Sequence, residues 1–170
     1  MDNKFQPIKP TDITDNTFSL IGKDWMLITA GTPGSYNTMT ASWGGVGVLW
    51  NRNVCFIFVR PTRYTYEFLE KNDPFSLSFF TDEWKKALSF CGSKSGRDVD
   101  KARETGLRPF AGKNKTTGFE QARLVIECKK LYYHDFDPDR FLDPSIEENY
   151  SKNDYHRMYV GEILSVNVKK

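Results

Sequence analysis

The sequence predicts a mainly β fold, a mostly antiparallel barrel or sheet with a few peripheral helices, and three observations predict it. Stretches that alternate with period two or run continuously apolar recur at 25–30, 37–43, 54–59, 75–80, 120–136 and 155–168. Turn formers separate them, as in Gly31-Thr32-Pro33-Gly34 and Asn51-Arg52-Asn53. Helical spacing is confined to short segments after Thr62, after Asp82 and after Ser95. The chain of 170 residues has single-domain length, and 39% apolar residues suffice for one core. An aromatic share of 15% also suits an interface or a flat ligand.

In chain order, residues 1–19 read as an irregular lead-in punctuated by Pro7 and Pro10. Trp25–Ala30 is a β-rich strand running into a turn whose centre, Pro33-Gly34, fits type II. In Asn37–Trp43, Met39 and Ala41 alternate with Thr38, Thr40 and Ser42, which predicts a strand with one apolar and one wet face. Gly44, Gly45 and Gly47 lack the GxGxxG spacing and precede a strand, so they read as a bulge or bend. Val54–Val59 is a strand buried on both faces, and Cys55 within it reads as a structural thiol.

Thr62 is placed to cap the helix that follows, where Tyr64 and Phe68 share a face. FSLSFF at 75–80 alternates as a half-buried strand. Thr81 or Asp82 then caps a helix closed by Cys91-Gly92, and a second helix begins near Ser95 or Arg97 and stops at Gly106. Residues 107–119 read as a mobile basic loop, a candidate lid. The strand 120–136 points Leu124, Ile126 and Cys128 inward and Arg123, Glu127 and Lys129 outward. Residues 137–154 are loop with one helical turn, and the last strand is interrupted at Gly161.

Several functions are excluded. A net charge of +2, from 24 basic and 22 acidic residues, provides no field for nucleic acid. Cys55, Cys91 and Cys128 are odd in number and widely spaced, which points away from disulfides and toward a reducing cytoplasm. The N-terminus has no apolar signal core, and no apolar run of about 18 residues occurs, so neither export nor a membrane is expected. His134 and His156 have no Cys or carboxylate at ligand spacing, so no metal is expected. His156 reads first as a hydrogen-bonded structural histidine and second as a proton donor.

The chemistry concentrates where Arg60, Thr62, Arg63 and Thr65 meet a helix start. Unpaired N–H groups, two guanidinium groups and two hydroxyls together make a seat for a mononucleotide phosphate. GSKSGRD at 92–98 misses the P-loop pattern, since three residues separate Gly92 from Gly96 and Arg97-Asp98 replaces Lys-Ser/Thr.

Four separated blocks, NTMTASWG, RPTRYTYEFLEK, SGRDVDK and HRMYVGEI, resemble the flavin reductase-like family of FMN-binding split barrels, from about Trp25 to Ile163. The resemblance implies a six-stranded Greek-key split barrel and a homodimer with one FMN per subunit at the interface. Along the isoalloxazine it places Asn37, Thr38, Met39, Thr40, Ala41, Ser42 and Trp43, with Thr40 and Ser42 on the polar edge. It gives the phosphate to Arg60, Arg63 and Thr65, with Tyr64 beside them. From the third block Ser93, Ser95, Gly96, Arg97 and Lys101 become flavin or phosphate contacts, together with Cys91 and Gly92. Asp98 would orient Arg97, and Lys101 would stabilise negative charge at N1 and the C2 carbonyl of the reduced ring. His156, the candidate catalytic residue, and Tyr159 would lie near the open flavin face.

The function so implied is an oxidoreductase that carries electrons from NADH or NADPH through FMN to a flavin or another small acceptor. Two other classes stand beside it: a flavoredoxin-type carrier that exchanges electrons with protein partners, and a non-catalytic FMN or tetrapyrrole-binding module.

Overall fold

The longest alternating stretches of the sequence form the spine of the molecule, an antiparallel ladder between Leu124–Asp135 and Arg157–Lys169. The computed structural model describes residues 5–170. In chain order the strands are β1 (Phe5–Ile8), β2 (Met26–Thr32), β3 (Ser35–Ala41), β4 (Gly44–Leu49), β5 (Arg52–Val59) and β6 (Pro74–Phe79). They continue as β7 (Pro109–Ala111), β8 (Thr117–Phe119), β9 (Leu124–Asp135) and β10 (Arg157–Lys169). Three helices, α1 (Tyr64–Lys71), α2 (Lys85–Ser93) and α3 (Lys101–Thr105), lie outside the strands.

The main sheet runs β3-β2-β6-β9-β10-β5-β4, with β1 added to β10, and β7-β8 pair apart. The fold is a mainly β split barrel with peripheral helices. Its main sheet has eight strands where the resemblance implies six. Inside the barrel Ile28, Ile57, Phe75, Leu77, Ile126 and Val166 pack as one cluster. A second cluster, including Leu27, Leu88, Leu107, Phe119 and Val125, joins the outer face of the sheet to α2, α3 and β8.

That second layer explains several departures from the sequence reading. β6 is buried on both faces, not one: Ser76 and Ser78 are fully covered, and the Ser76 hydroxyl donates to the Thr117 carbonyl. The hydroxyl face of β3 is not wet either. Thr38 is buried against Thr29, and Thr40 donates to the Leu88 carbonyl. Residues 107–119 form a packed hairpin and not a lid, because Leu107 and Phe119 are buried and each contributes about 1.5–3 kcal/mol. Glu127, expected outside, lies 1% exposed beneath this hairpin. Its carboxylate accepts from the Asn114 amide, Thr116, Ser165 and Asn167.

Other corrections are local. Within the lead-in, whose residues 1–4 lie outside the described residues, Phe5–Ile8 is a strand on β10; Pro7 is tolerated because β1 is an edge strand. The Pro33-Gly34 turn is not type II, since Gly34 does not adopt positive φ. Positive φ falls instead on Gly31, at 102°, where a Cβ would lie 2.3 Å from the Ser35 carbonyl oxygen. The next hairpin turns at Trp50-Asn51, with φ of 52° and 57°, one residue before the predicted turn. Gly44–Leu49 is a regular strand and not a bend; Gly44 is required because a Cβ would meet the Phe56 carbonyl oxygen at 2.8 Å. Gly161 sits at a register shift in β10, and Gly106 ends α3 with φ 73°, both as predicted.

Glu127→Ala should strand several donors at once. Urea unfolding is expected to show a loss of roughly 2–4 kcal/mol, and Glu127→Gln a smaller one.

Candidate functional site

β3 is an edge strand, paired only with β2, so its other side carries backbone groups without a strand partner. The three helices cover that side incompletely, and three cavities line up along it. The first, about 180 Å³, is formed by Met39–Trp43, Phe58, Arg60, Arg63 and His156. The second, about 110 Å³, is formed by Asn37, Met39, Thr62–Thr65, Ser93–Gly96 and Lys101. The third, about 500 Å³, runs from Gly34–Thr38 past Tyr64 and Phe68 to Gly96–Ala102. Shared walls, Met39 and Arg63 between the first two and Asn37, Tyr64, Gly96 and Lys101 between the last two, make them one trough.

The small middle cavity has the chemistry of an anion seat. Helix α1 begins one residue later than the sequence suggests: Arg63, not Thr62, occupies the N-cap, and no side chain caps the turn. The N–H groups of Tyr64 and Thr65 therefore stand at the helix start without a partner among the described residues, in a cavity they share with Ser93 and Ser95. Arg63 donates one N–H to the Gly92 carbonyl, at the end of α2. Thr65 is buried, and its hydroxyl oxygen accepts from Asn37 at 2.7 Å. Close approach requires Gly96, where a Cβ would lie 1.8 Å from Asn37 Oδ1.

Lys101 is the least expected group here. It is 6% exposed, makes no ion pair among the described residues, and donates from Nζ to the carbonyls of Thr38 and Cys91 at 2.8 and 2.7 Å. Burial, with Arg63 adding to it, pushes its amine down to about 8, against a smaller opposing pull from Cys91. A buried cation without a carboxylate is a group that an incoming anion would complete. It lines the anion cavity and the third cavity, and does not line the Trp43 cavity.

The first cavity is aromatic. Trp43 and His156 rings lie 5.3 Å apart, and the Tyr150 hydroxyl meets His156 Nδ1 at 2.8 Å. Burial first, then Arg60, pushes the imidazole down to about 4, so it is neutral near pH 7. Among the described residues its ring makes the one hydrogen bond to Tyr150, and the side chain lines the cavity. In its neutral form His156 can offer a hydrogen bond there. Arg60 lines this cavity and not the anion seat, and its guanidinium is held by Asp154 at 2.6 Å and by the Asn149 carbonyl.

Three other residues on the predicted list do not reach the trough with their side chains. Cys91 and Gly92 act only through carbonyls, toward Lys101 and Arg63. Tyr159 is in the core with its hydroxyl on Glu70. Arg97 does line the third cavity, but it pairs with Glu67 and not with Asp98. Sequence reasoning missed Phe58, hidden in a continuous apolar run, and Tyr150, in a segment without periodicity.

A family model described as the flavin reductase like domain matches residues 18–170. No curated protein matches the chain. Among solved structures it resembles a flavoredoxin from Methanosarcina acetivorans, 24% identical over 86% of this chain and 69% of that one, with a TM-score of 0.69. An FMN-binding protein from Thermus thermophilus is 24% identical over 84% and 69%, with a TM-score of 0.66. An NADH:FAD oxidoreductase from Streptomyces globisporus is 16% identical over 85% and 75%, with a TM-score of 0.64.

The imidazole makes the fold acid-sensitive in a defined window. Neutral in the fold and able to charge when unfolded, His156 supports stability above its ordinary value of 6.5 and withdraws that support as pH falls toward 4. The drop in midpoint between pH 7 and 4.5 should be visibly smaller in His156→Gln, measured by urea unfolding.

Proposed function

The chain belongs to the flavin reductase-like domain family, and from that premise we propose that it is an FMN-binding oxidoreductase. It takes reducing equivalents from NADH or NADPH and hands them to a flavin or another small acceptor. The observation that carries this reading is the polarity of the trough. One strand, β3, connects an aromatic, neutral end at Trp43 and His156 to a cationic end at Arg63 and Lys101. A ligand with a flat ring and a terminal phosphate matches both ends in that order.

The residues fit such a ligand. Arg63, Thr65, Ser93, Ser95 and the first N–H groups of α1 would hold the phosphate, with Lys101 beside it. Thr40, Ser42 and the β3 backbone would meet the polar edge of the ring, and Trp43 and His156 would lie near its open face. Bound there, FMN supplies the redox chemistry, accepting a hydride from a nicotinamide and releasing electrons onward. The chain's share is to seat the ring, fix its edge by hydrogen bonds and neutralise its charge. Tyr150 holds Nδ1 of His156, which fixes the ring of a side chain that lines the trough.

A homodimer would complete the open side of the first cavity. Exposed Phe18, Trp43, Val48 and Trp50 lie around the edge strand β4, a suitable contact surface. Three free, buried cysteines suit a reducing cytoplasm. The second reading, a carrier between proteins, is favoured by the acidic segment 135–154, where Leu142 is 99% exposed.

The deciding experiment is to load the protein with FMN and mix it anaerobically with each nicotinamide. Rapid bleaching of the flavin band is the expected outcome; persistent colour would favour the carrier, and failure to take up FMN would sink both. Arg63→Ala should weaken FMN binding at least about tenfold, measured by fluorescence titration. FMN affinity should also fall as pH rises through about 8, where Lys101 loses its charge. The phosphate, with its second pKa of about 6, is already doubly ionised there. Lys101→Met should flatten that pH dependence.

A further inference from the structure

In the proposed reading Lys101 serves only as a charge, yet its setting is that of a nucleophile. Nζ has one bond to Cε and points two N–H groups at the Thr38 and Cys91 carbonyls. Its remaining tetrahedral direction is uncommitted among the described residues, and in the neutral amine that direction holds the lone pair. We propose that Lys101 is a modification site, acylated at Nζ by small acyl phosphates whose phosphoryl group is held in the anion seat. The proposal rests on the seat invoked for FMN and gives that site a covalent off state.

The middle cavity, about 110 Å³, lies well below the roughly 300 Å³ at which sites for whole small molecules begin, and it suits a phosphoryl group. Arg63, Ser95 and the start of α1 line it together with Lys101, so the donors that would hold a phosphate and the amine that would attack share one enclosure. The wide section that adjoins it across Gly96 and Lys101 has room for the acyl group. Burial holds the amine down at about 8, so near that pH about half of it is free base, whereas an ordinary lysine at about 10.4 is almost wholly charged.

In the step, the Nζ lone pair attacks the acyl carbon, a C–N bond forms, and the C–O bond to the phosphoryl group breaks. The phosphate leaves with that electron pair and takes the proton that the nitrogen gives up, so an amine and an acyl phosphate become an amide and hydrogen phosphate. Nothing is oxidised or reduced. Arg63 and the N–H groups at the start of α1 would take up the charge on the leaving phosphate. The product amide has no charge and a single N–H, so it cannot serve both carbonyls and no longer attracts an anion.

The test incubates the protein, free of flavin, with acetyl phosphate and quantifies each acetylated lysine by peptide mass spectrometry. Lys101 is expected to react at least about tenfold faster than the exposed Lys86 and Lys113 and to be protected by inorganic phosphate. Its rate should rise with pH to about 8 and then level off. Arg63→Ala should abolish the preference, and p-nitrophenyl acetate, which carries no phosphoryl group, should show none. Lys101 reacting no faster than the surface lysines, unprotected by phosphate, or equally preferred with p-nitrophenyl acetate would overturn the proposal. Fluorescence titration with FMN reads the flavin site separately. Acetylated protein should bind FMN at least about tenfold more weakly than untreated protein, and equal affinity would overturn the off state. Untreated protein that takes up no FMN would remove the flavin reading and leave the acylation to be decided by the rates alone.

Discussion

The site depends on how one edge strand is finished. β3 has a row of backbone groups with no neighbouring strand, and an open edge invites pairing with another chain. The fold answers with side chains. Lys101 bridges the Thr38 carbonyl to the last turn of α2, Thr40 reaches the Leu88 carbonyl, and Asn37 ties the strand to Thr65 on α1. Three helices are thereby held against β3 by single polar contacts, and the gaps between those contacts are the trough. Had a ninth strand covered this edge, the barrel would be more regular and the trough would be gone.

Much of this was legible because it follows from local rules. Gly106 and Gly161 were identified from position alone, as a helix stop and a strand interruption: Gly106 holds φ 73°, which other residues strain to adopt, and a Cβ at Gly161 would lie 2.4 Å from the Phe75 ring. The block RPTRYT does lead into a helix start, and Arg63 and Thr65 line the cavity there with Ser93, Ser95 and Lys101. What escaped was what depends on a second layer. Alternation in FSLSFF reads as half-buried because a serine looks the same in sequence whether it faces water or, like Ser76, the Thr117 carbonyl. Glu127 was misplaced for the same reason: a carboxylate is buried only when distant donors converge on it, and Asn114 and Thr116 come from the β7–β8 hairpin while Ser165 and Asn167 come from β10.

Arg60 and Arg63 show how far composition can carry a site and where it stops. Both stand in one short block, and the sequence gives each the same role. The turn Pro61-Thr62 sends them to different places. Arg63 ends on the Gly92 carbonyl with donors to spare, while Arg60 is taken by Asp154 and Asn149 and lies 5.0 Å over the Tyr150 ring. An arginine already paired to a carboxylate is a poor anion ligand but a good wall, because its charge is offset and its plane is fixed.

The pairing of Arg60 also accounts for the neutral end of the trough. Left free, its guanidinium would carry a full positive charge into the Trp43 cavity; paired with Asp154, it anchors the segment that brings Tyr150 to His156. Burial then keeps the imidazole uncharged, and the positive field is left to Arg63 and Lys101 at the other end. The gradient along β3 is thus produced by segment 137–155, which contributes no conspicuous motif. The neutral and cationic ends differ in which of two nearby arginines has a carboxylate partner, a difference set by topology and invisible in the spacing of the residues themselves.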